Sequence, residues 1–158
     1  GKEVLLLGAG GAAEGVLHPI LETNPLLLVI ANRSLDKALS MVKKVEVQQA
    51  HMLTTLTGQT FENLETQQFD IIINATSAGL TDTSLPIPNT IFARGCLAYD
   101  MMYGRETPFM KQARESGAQV VDGLGMLVEQ AAEAFYIWRG VRPETQDVMQ
   151  MIRNLPKS

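Results

Sequence analysis

The aliphatic run Val4-Leu5-Leu6-Leu7 stops on Gly8-Ala9-Gly10-Gly11-Ala12-Ala13, and this junction constrains the fold more than any other stretch of the chain. A run without polar alternation suits a strand buried on both faces of a parallel sheet. Val16, Leu17, Ile20 and Leu21 then recur at helical spacing until Asn24-Pro25 ends the pattern. Leu26 to Ala31 reads as a second buried strand, so a βαβ unit is complete by Asn32. Ser34 is a fitting N-cap for a helix whose apolar positions run Leu35, Leu39, Val42.

The same alternation continues downstream. Between Val45 and Phe69 the pattern is ambiguous: Ala50, Leu53 and Leu56 could prolong the helix, and Thr60-Phe61 could be a short strand. Asp70 to Ala75 is a strand ending in the polar loop Asn74-Ala75-Thr76-Ser77-Ala78-Gly79. Leu97 to Asp100 is another strand, Pro108 to Ser116 a helix stopped by Gly117, and Gln119 to Asp122 a last short strand. Leu124, Leu127, Val128, Ala131, Ala134 and Phe135 form an apolar helical stripe up to Gly140. Pro143 stands where a first-turn proline would open a C-terminal helix carrying Val148, Met149 and Ile152. Aliphatic strands alternating with helices predict a Rossmann-like, doubly wound parallel α/β sheet.

Composition narrows the function classes. The chain has 158 residues, 46% hydrophobic, enough for one core and no second. A net charge of -4 lacks the positive field that nucleic-acid binding needs. One cysteine, Cys96, excludes a disulfide framework within the chain, and with His18 and His51 it cannot supply metal-ligand spacing, so no metal is expected. Apolar runs are strand-length, and Gly1-Lys2-Glu3 leads directly into the first strand. Neither a membrane span nor a secretory leader is expected, and a reducing, cytoplasmic setting follows. His18, His51 and Cys96 read as structural residues.

Gly8-x-Gly10-x-x-Ala13 is the Ala-ended form of the dinucleotide fingerprint. The first glycine makes the turn, the second admits a pyrophosphate to the backbone, and Ala13 allows close helix packing. As a bare pattern it also occurs in turns that only join strand to helix; here it follows a buried strand and opens a helix within a βαβ unit. N–H groups from Gly10 through Ala12 would face the phosphates. The end of the second strand normally carries an acid that bonds the ribose of NAD. This chain has Asn32-Arg33-Ser34 there, 22 residues beyond Gly10, with Lys37 one helical turn past Arg33. A forked guanidinium, a hydroxyl and an ammonium favour a 2'-phosphate, hence NADP.

Taken with Tyr99-Asp100-Met101-Met102-Tyr103 and Asp122-Gly123-Leu124-Gly125-Met126-Leu127-Val128-Glu129-Gln130-Ala131, these motifs closely resemble the NADP-binding C-terminal domain of the shikimate dehydrogenase family over nearly the whole chain. Family membership implies NADPH-dependent reduction of 3-dehydroshikimate to shikimate in aromatic amino-acid biosynthesis, across a cleft between two α/β domains. It assigns Gly8, Ala9, Gly10, Gly11 and Ala12 to the pyrophosphate loop, and Asn32, Arg33, Ser34 and Lys37 to the 2'-phosphate clamp. Many relatives have arginine where Lys37 stands, which keeps the charge but loses the fork. Thr76, Ser77 and Ala78 would border the ribose and nicotinamide, Met101, Gly123, Met126 and Leu127 would surround the nicotinamide, and Tyr103 and Gln130 would hold the substrate.

Met126 and Leu127 would be core residues in most folds, and Asp100 and Asp122 read as turn caps rather than catalytic acids. The family's proton donor, a lysine paired with an aspartate, belongs to an N-terminal domain not found in these residues, so no catalytic residue is assigned and this chain alone is expected to be inactive. An apolar patch left by that domain, on the segment Pro143 to Leu155, would allow self-association. Glutamyl-tRNA reductase and other Rossmann dehydrogenases share the glycine turn, and a nucleotide-binding module without chemistry is the non-enzyme alternative. The reductases would not predict the last two motifs together.

Overall fold

In the computed structural model, which describes residues 1–48 and 53–155, six parallel strands form one sheet in the order β3-β2-β1-β4-β5-β6. The strands are β1 (Glu3–Leu7), β2 (Leu27–Ala31), β3 (Thr55–Gln59), β4 (Phe69–Asn74), β5 (Phe92–Asp100) and β6 (Gln119–Val121). The helices are α1 (Gly11–Glu22), α2 (Leu35–Gln48), α3 (Pro108–Glu115), α4 (Leu124–Arg139) and α5 (Gln146–Arg153). This is the doubly wound arrangement expected.

Because the central strands carry aliphatic residues on both faces, alternate residues feed two separate cores. Val4, Leu6, Leu28 and Ile30 pack with Ala13, Leu17 and Leu21 of α1 and Ala38, Met41 and Val42 of α2. Leu5, Leu7, Val29 and Ile72 face the other way, onto Phe61, Leu64, Phe69 and the α3 residues Phe109 and Ala113. At the entry edge, Asp70 accepts hydrogen bonds from Glu3 N–H at 2.9 Å and Lys2 Nζ at 3.2 Å, and these hold its carboxyl below the usual carboxylate range.

Several local expectations are corrected. Leu56 lies in β3, an edge strand, so the α2 helix is not prolonged through Leu53 and Leu56, and Thr60-Phe61 is not the strand; Ala50 and His51 lie outside the described residues. β3 was hard to read because its sequence, TLTGQ, is polar and only half-buried. Gly58 serves packing there, since an added Cβ would sit 3.1 Å from α2 backbone atoms of Ala38 and Leu39. β5 starts five residues before Leu97, because Arg94-Gly95 interrupts its apolar pattern where the ladder with β4 shifts register. In α2 the inward stripe is Ala38, Met41, Val42 and Val45, whereas Leu35 and Leu39 are exposed. Pro143 precedes α5, which begins only at Gln146 after Thr145. Gly140 does end α4, in the left-handed conformation at φ 70°.

Cys96 is fully buried in β5, and burial pushes its thiol from an ordinary 9.0 up to about 11. Folding therefore favours the protonated thiol; this contribution is complete below pH 9 and is lost as pH rises toward 11. The native chain should not react with a soluble disulfide reagent at about pH 8, where the thiolate is scarce and inaccessible, and the urea-unfolded chain should react at once. Stoichiometric native labelling would refute the burial.

Candidate functional site at the carboxyl edge of the sheet

Parallel pairing aligns Ala31, Leu7, Asn74 and Asp100 in one row across β2, β1, β4 and β5. The next residues, Asn32, Gly8, Ala75 and Met101, therefore leave the sheet side by side. Each keeps one more backbone bond to its neighbour: Asn32 N to Gln59 O at 3.1 Å, Gly8 N to Ala31 O at 2.8 Å, Ala75 N to Leu7 O at 2.9 Å and Met101 N to Asn74 O at 3.1 Å. Between β1 and β4 the strand order reverses direction, which opens a crevice above the carboxyl ends.

The glycine turn enters this crevice. Gly8 has φ 107°, and an added Cβ would lie 3.0 Å from the Ala75 carbonyl, so both its conformation and its neighbour demand glycine. Gly10 and Gly11 are exposed, and a Cβ on either would meet nothing within 4 Å. Gly10 caps α1 without a side-chain hydrogen bond, which leaves first-turn N–H groups open beside the positive end of the helix. Ala13 is fully buried against the sheet, the close approach its small side chain permits.

At the end of β2, Asn32 donates from Nδ2 to the Ser34 carbonyl at 3.1 Å and braces the bend. Ser34 occupies the N-cap position of α2, its carbonyl accepting from Ala38 N–H. Arg33 and Lys37 are exposed and make no ion pair among the described residues. Two cations at a helix N-terminus oppose its dipole, so an anion there would stabilise them.

The loops after β4 and β5 form the other wall. Thr76 donates from N–H at 3.1 Å and from Oγ1 at 2.8 Å to Asn74 Oδ1, and Ala78 N–H donates to Thr76 Oγ1 at 3.3 Å. Ser77 is exposed and Met101 half-buried. Gly123 N–H donates to the Met102 carbonyl at 2.9 Å, and an added Cβ there would overlap the Met101 carbonyl. Asp122 Oδ1 accepts from Leu124 N–H at 3.3 Å, and burial raises the pKa of the Tyr99 phenol. The Asp122 bond anchors the start of α4, on which Met126 is half-buried, Leu127 36% exposed and Gln130 exposed; of the expected core stripe only Leu124 and Val128 are buried, joined by Ala132, whereas Leu127, Ala131 and Phe135 are exposed and Ala134 is half-buried. Met126 and Gln130, four residues apart, share a helix face. Tyr103 is 46% exposed on the loop after β5.

The expected site residues thus lie on the loops at this edge, in the first turns of α1 and α2, or in the first two turns of α4. Asp100 caps a turn as expected, Thr107 closes the loop after β5 onto Asp100, and Arg105 ties that loop to the Gly79 carbonyl of the loop after β4. The readable signal for Thr107 was its place before Pro108, a cap followed by a first-turn proline. His18 lies elsewhere, exposed and 3.7 Å from Glu22 on the outside of α1. No helix of the described residues is long and apolar enough to cross a membrane.

Fold and edge together define a doubly wound α/β domain of the Rossmann class. Residues 1–82 match the family model for shikimate / quinate 5-dehydrogenase, and residues 123–153 match that for the shikimate 5'-dehydrogenase C-terminal domain. The chain belongs to the shikimate / quinate 5-dehydrogenase family. It is 62% identical over 154 residues to a shikimate dehydrogenase (NADP(+)) of Methylobacillus flagellatus, covering 97% of this chain and 56% of that protein. The chain therefore spans about half the length of the curated relatives it matches. Among solved structures, the Ael1 enzyme from Pseudomonas putida matches at 46% identity and TM-score 0.87, covering 99% of this chain and 56% of the other. Shikimate 5-dehydrogenase from Thermus thermophilus, in complex with NADP(H) and shikimate, matches at 30% identity and TM-score 0.78, covering 96% and 54%.

Proposed function

We propose that residues 1–158 are the NADP(H)-binding domain of a dehydrogenase that interconverts shikimate and 3-dehydroshikimate. The observation that carries this reading is the placement of Asn32-Arg33-Ser34 beside the open glycine turn, without an acid at the end of β2. Gly8 to Ala12 would hold the pyrophosphate, Arg33, Ser34 and Lys37 the 2'-phosphate, and Asn32 would shape the bend between them. Thr76, Ser77 and Ala78, with Met101, Gly123, Met126 and Leu127, would line the path to the nicotinamide. The residues present fit the group, since exposed N–H donors and two cations without an ion pair among the described residues would meet a polyanion. When bound, NADPH supplies the hydride for carbonyl reduction. The Tyr103 hydroxyl and Gln130 amide are suited to bond the hydroxyls and carboxylate of the substrate. Proton delivery to the developing alkoxide is assigned to the part of the relatives' length that this chain does not span.

Arg33→Ala should weaken NADP(H) binding about 10- to 150-fold, the equivalent of roughly 1.5–3 kcal/mol of charge-assisted bonding, and leave NAD(H) almost unchanged. Calorimetric titration with both dinucleotides tests this. Equal losses would sink the 2'-phosphate assignment.

In a protein of the relatives' full length, Tyr103→Phe and Gln130→Ala should raise the Michaelis constant for shikimate while sparing NADP affinity. The amide deletion should act more strongly because it removes donors and acceptor together. Unchanged steady-state kinetics with a lowered melting temperature would make both residues structural.

The surface supports a partner for this domain. Phe135, expected in the core stripe, is exposed, as are Tyr136, Ile137 and Trp138, the last at 79%. α5 buries none of its residues, and Val148, Met151 and Leu155 add to the apolar area, while Met149 and Ile152 are half-buried. We propose that the rest of the protein packs on this face and that the chain alone self-associates through it. Light scattering over a concentration series should show mass rising above 17.3 kDa. A monomer at every concentration would contradict it.

A further inference from the structure

A one-way chain of hydrogen bonds runs beneath the two loops, and none of its central members faces the crevice. On one side Ala78 N–H donates to Thr76 Oγ1, Thr76 Oγ1 donates to Asn74 Oδ1, and Asn74 Nδ2 donates to Asp100 Oδ2 at 3.2 Å. On the other, Met110 N–H donates to Thr107 Oγ1 at 3.2 Å, and Thr107 Oγ1 donates to the same Asp100 Oδ2 at 2.5 Å. Asp100 Oδ1 takes Met102 N–H at 3.0 Å. Every bond points toward one carboxylate, and Asn74, Asp100 and Thr107 are each at most 1% exposed. Such a carboxylate is satisfied only while all three donors converge on it, because a buried acceptor left without donors is costly.

Two further contacts join the same loops. Arg105 donates to the Gly79 carbonyl, and Gly79 sits so tightly that an added Cβ would lie 2.8 Å from Met102 Cγ and 3.2 Å from Thr107 Cγ2. The loop carrying Thr76 to Ala78 and the loop carrying Met101 to Tyr103 are thereby one mechanical unit. Resting on the function proposed above, we infer that Asp100, with Asn74 and Thr107, is a positioning group: it sets the cofactor-side loop against the substrate-side loop, so that dinucleotide affinity depends on a carboxylate that never touches the ligand. A simple turn cap would need only the Met102 bond. The Asn74 and Thr107 bonds are what connect it to the neighbouring loop and to the start of α3.

The test uses the full chain with three variants: Asp100→Asn, Asn74→Asp, and the two together. Asp100→Asn sets an N–H group against at least one of the three donors, and Asn74→Asp faces two carboxylates across 3.2 Å. Each single variant should bind NADP about tenfold more weakly, the effect of one charge-assisted bond, and the exchanged pair should recover part of it because an amide again donates to a carboxylate while the Thr107 hydroxyl is left facing an N–H. Amide hydrogen exchange should quicken at Thr76 and Ala78 in Asp100→Asn, more than twenty residues away in sequence, whether or not NADP is added.

Lowered melting temperature with unchanged NADP affinity in both single variants would overturn the proposal, as would unchanged exchange at Thr76 and Ala78. If the wild-type chain binds no NADP, the functional reading fails separately, and the exchange result alone decides the clamp. Should Asp100→Asn not fold, Thr107→Val against Thr107→Ser decides: Val should lose affinity and loop protection, and Ser should restore both. Equal behaviour of the two would overturn it.

Discussion

The site depends on one constraint, the level at which four parallel strands end. Parallel hydrogen bonding ties Ala31, Leu7, Asn74 and Asp100 into a row, so the chain must leave β2, β1, β4 and β5 at the same height. Four loops then crowd one edge, and the crowding dictates their residues. Gly8 must pass the Ala75 carbonyl and Gly123 the Met101 carbonyl, where no side chain fits. Reversal of strand order between β1 and β4 keeps helices from filling the gap.

Electrostatics at that edge are divided by depth. Carboxylates lie there, but both Asp100 and Asp122 are turned to protein N–H groups, of Met102 and Leu124, and so are already satisfied. The uncapped first turn of α1 and the exposed cations Arg33 and Lys37 also lie at this edge, with the exposed Asp36 beside Lys37 in the first turn of α2. A polyanionic ligand lying along the row from Asn32 to Ala75 would meet donors and cations. At the opposite edge the arrangement is reversed, with Asp70 fastened to Lys2 and to the Glu3 amide. That bond pins the start of β1 to β4 and helps set the height of everything beyond.

α4 has two separate tasks along its length. Its first turns place Met126 and Gln130 on one face near the carboxyl edge, with Asp122 bonded to the Leu124 N–H at its start. Its last turns leave Phe135 to Trp138 exposed, and α5 beyond them buries none of its own residues. An apolar stripe normally marks a buried face. Here the stripe runs past the edge of the core, so its periodicity alone was a poor guide to which residues are buried. The same holds in α2, where small Ala38 and flexible Met41 lie inside while Leu35 and Leu39 are exposed.

The sequence by itself determined the doubly wound class, the buried central strands and the glycine turn. These follow from local chemistry, since continuous aliphatic runs exclude a solvent face and positive φ at Gly8 excludes most other residues. Tertiary structure alone decided the edge strand β3, whose polar Thr55–Gln59 is a strand only because β2 offers it a partner. It also decided the five extra residues of β5 and the convergence of Asn74, Asp100 and Thr107. Residues 26 and 7 apart in sequence share one carboxylate because register, which no local pattern encodes, brings Asn74 beside Asp100.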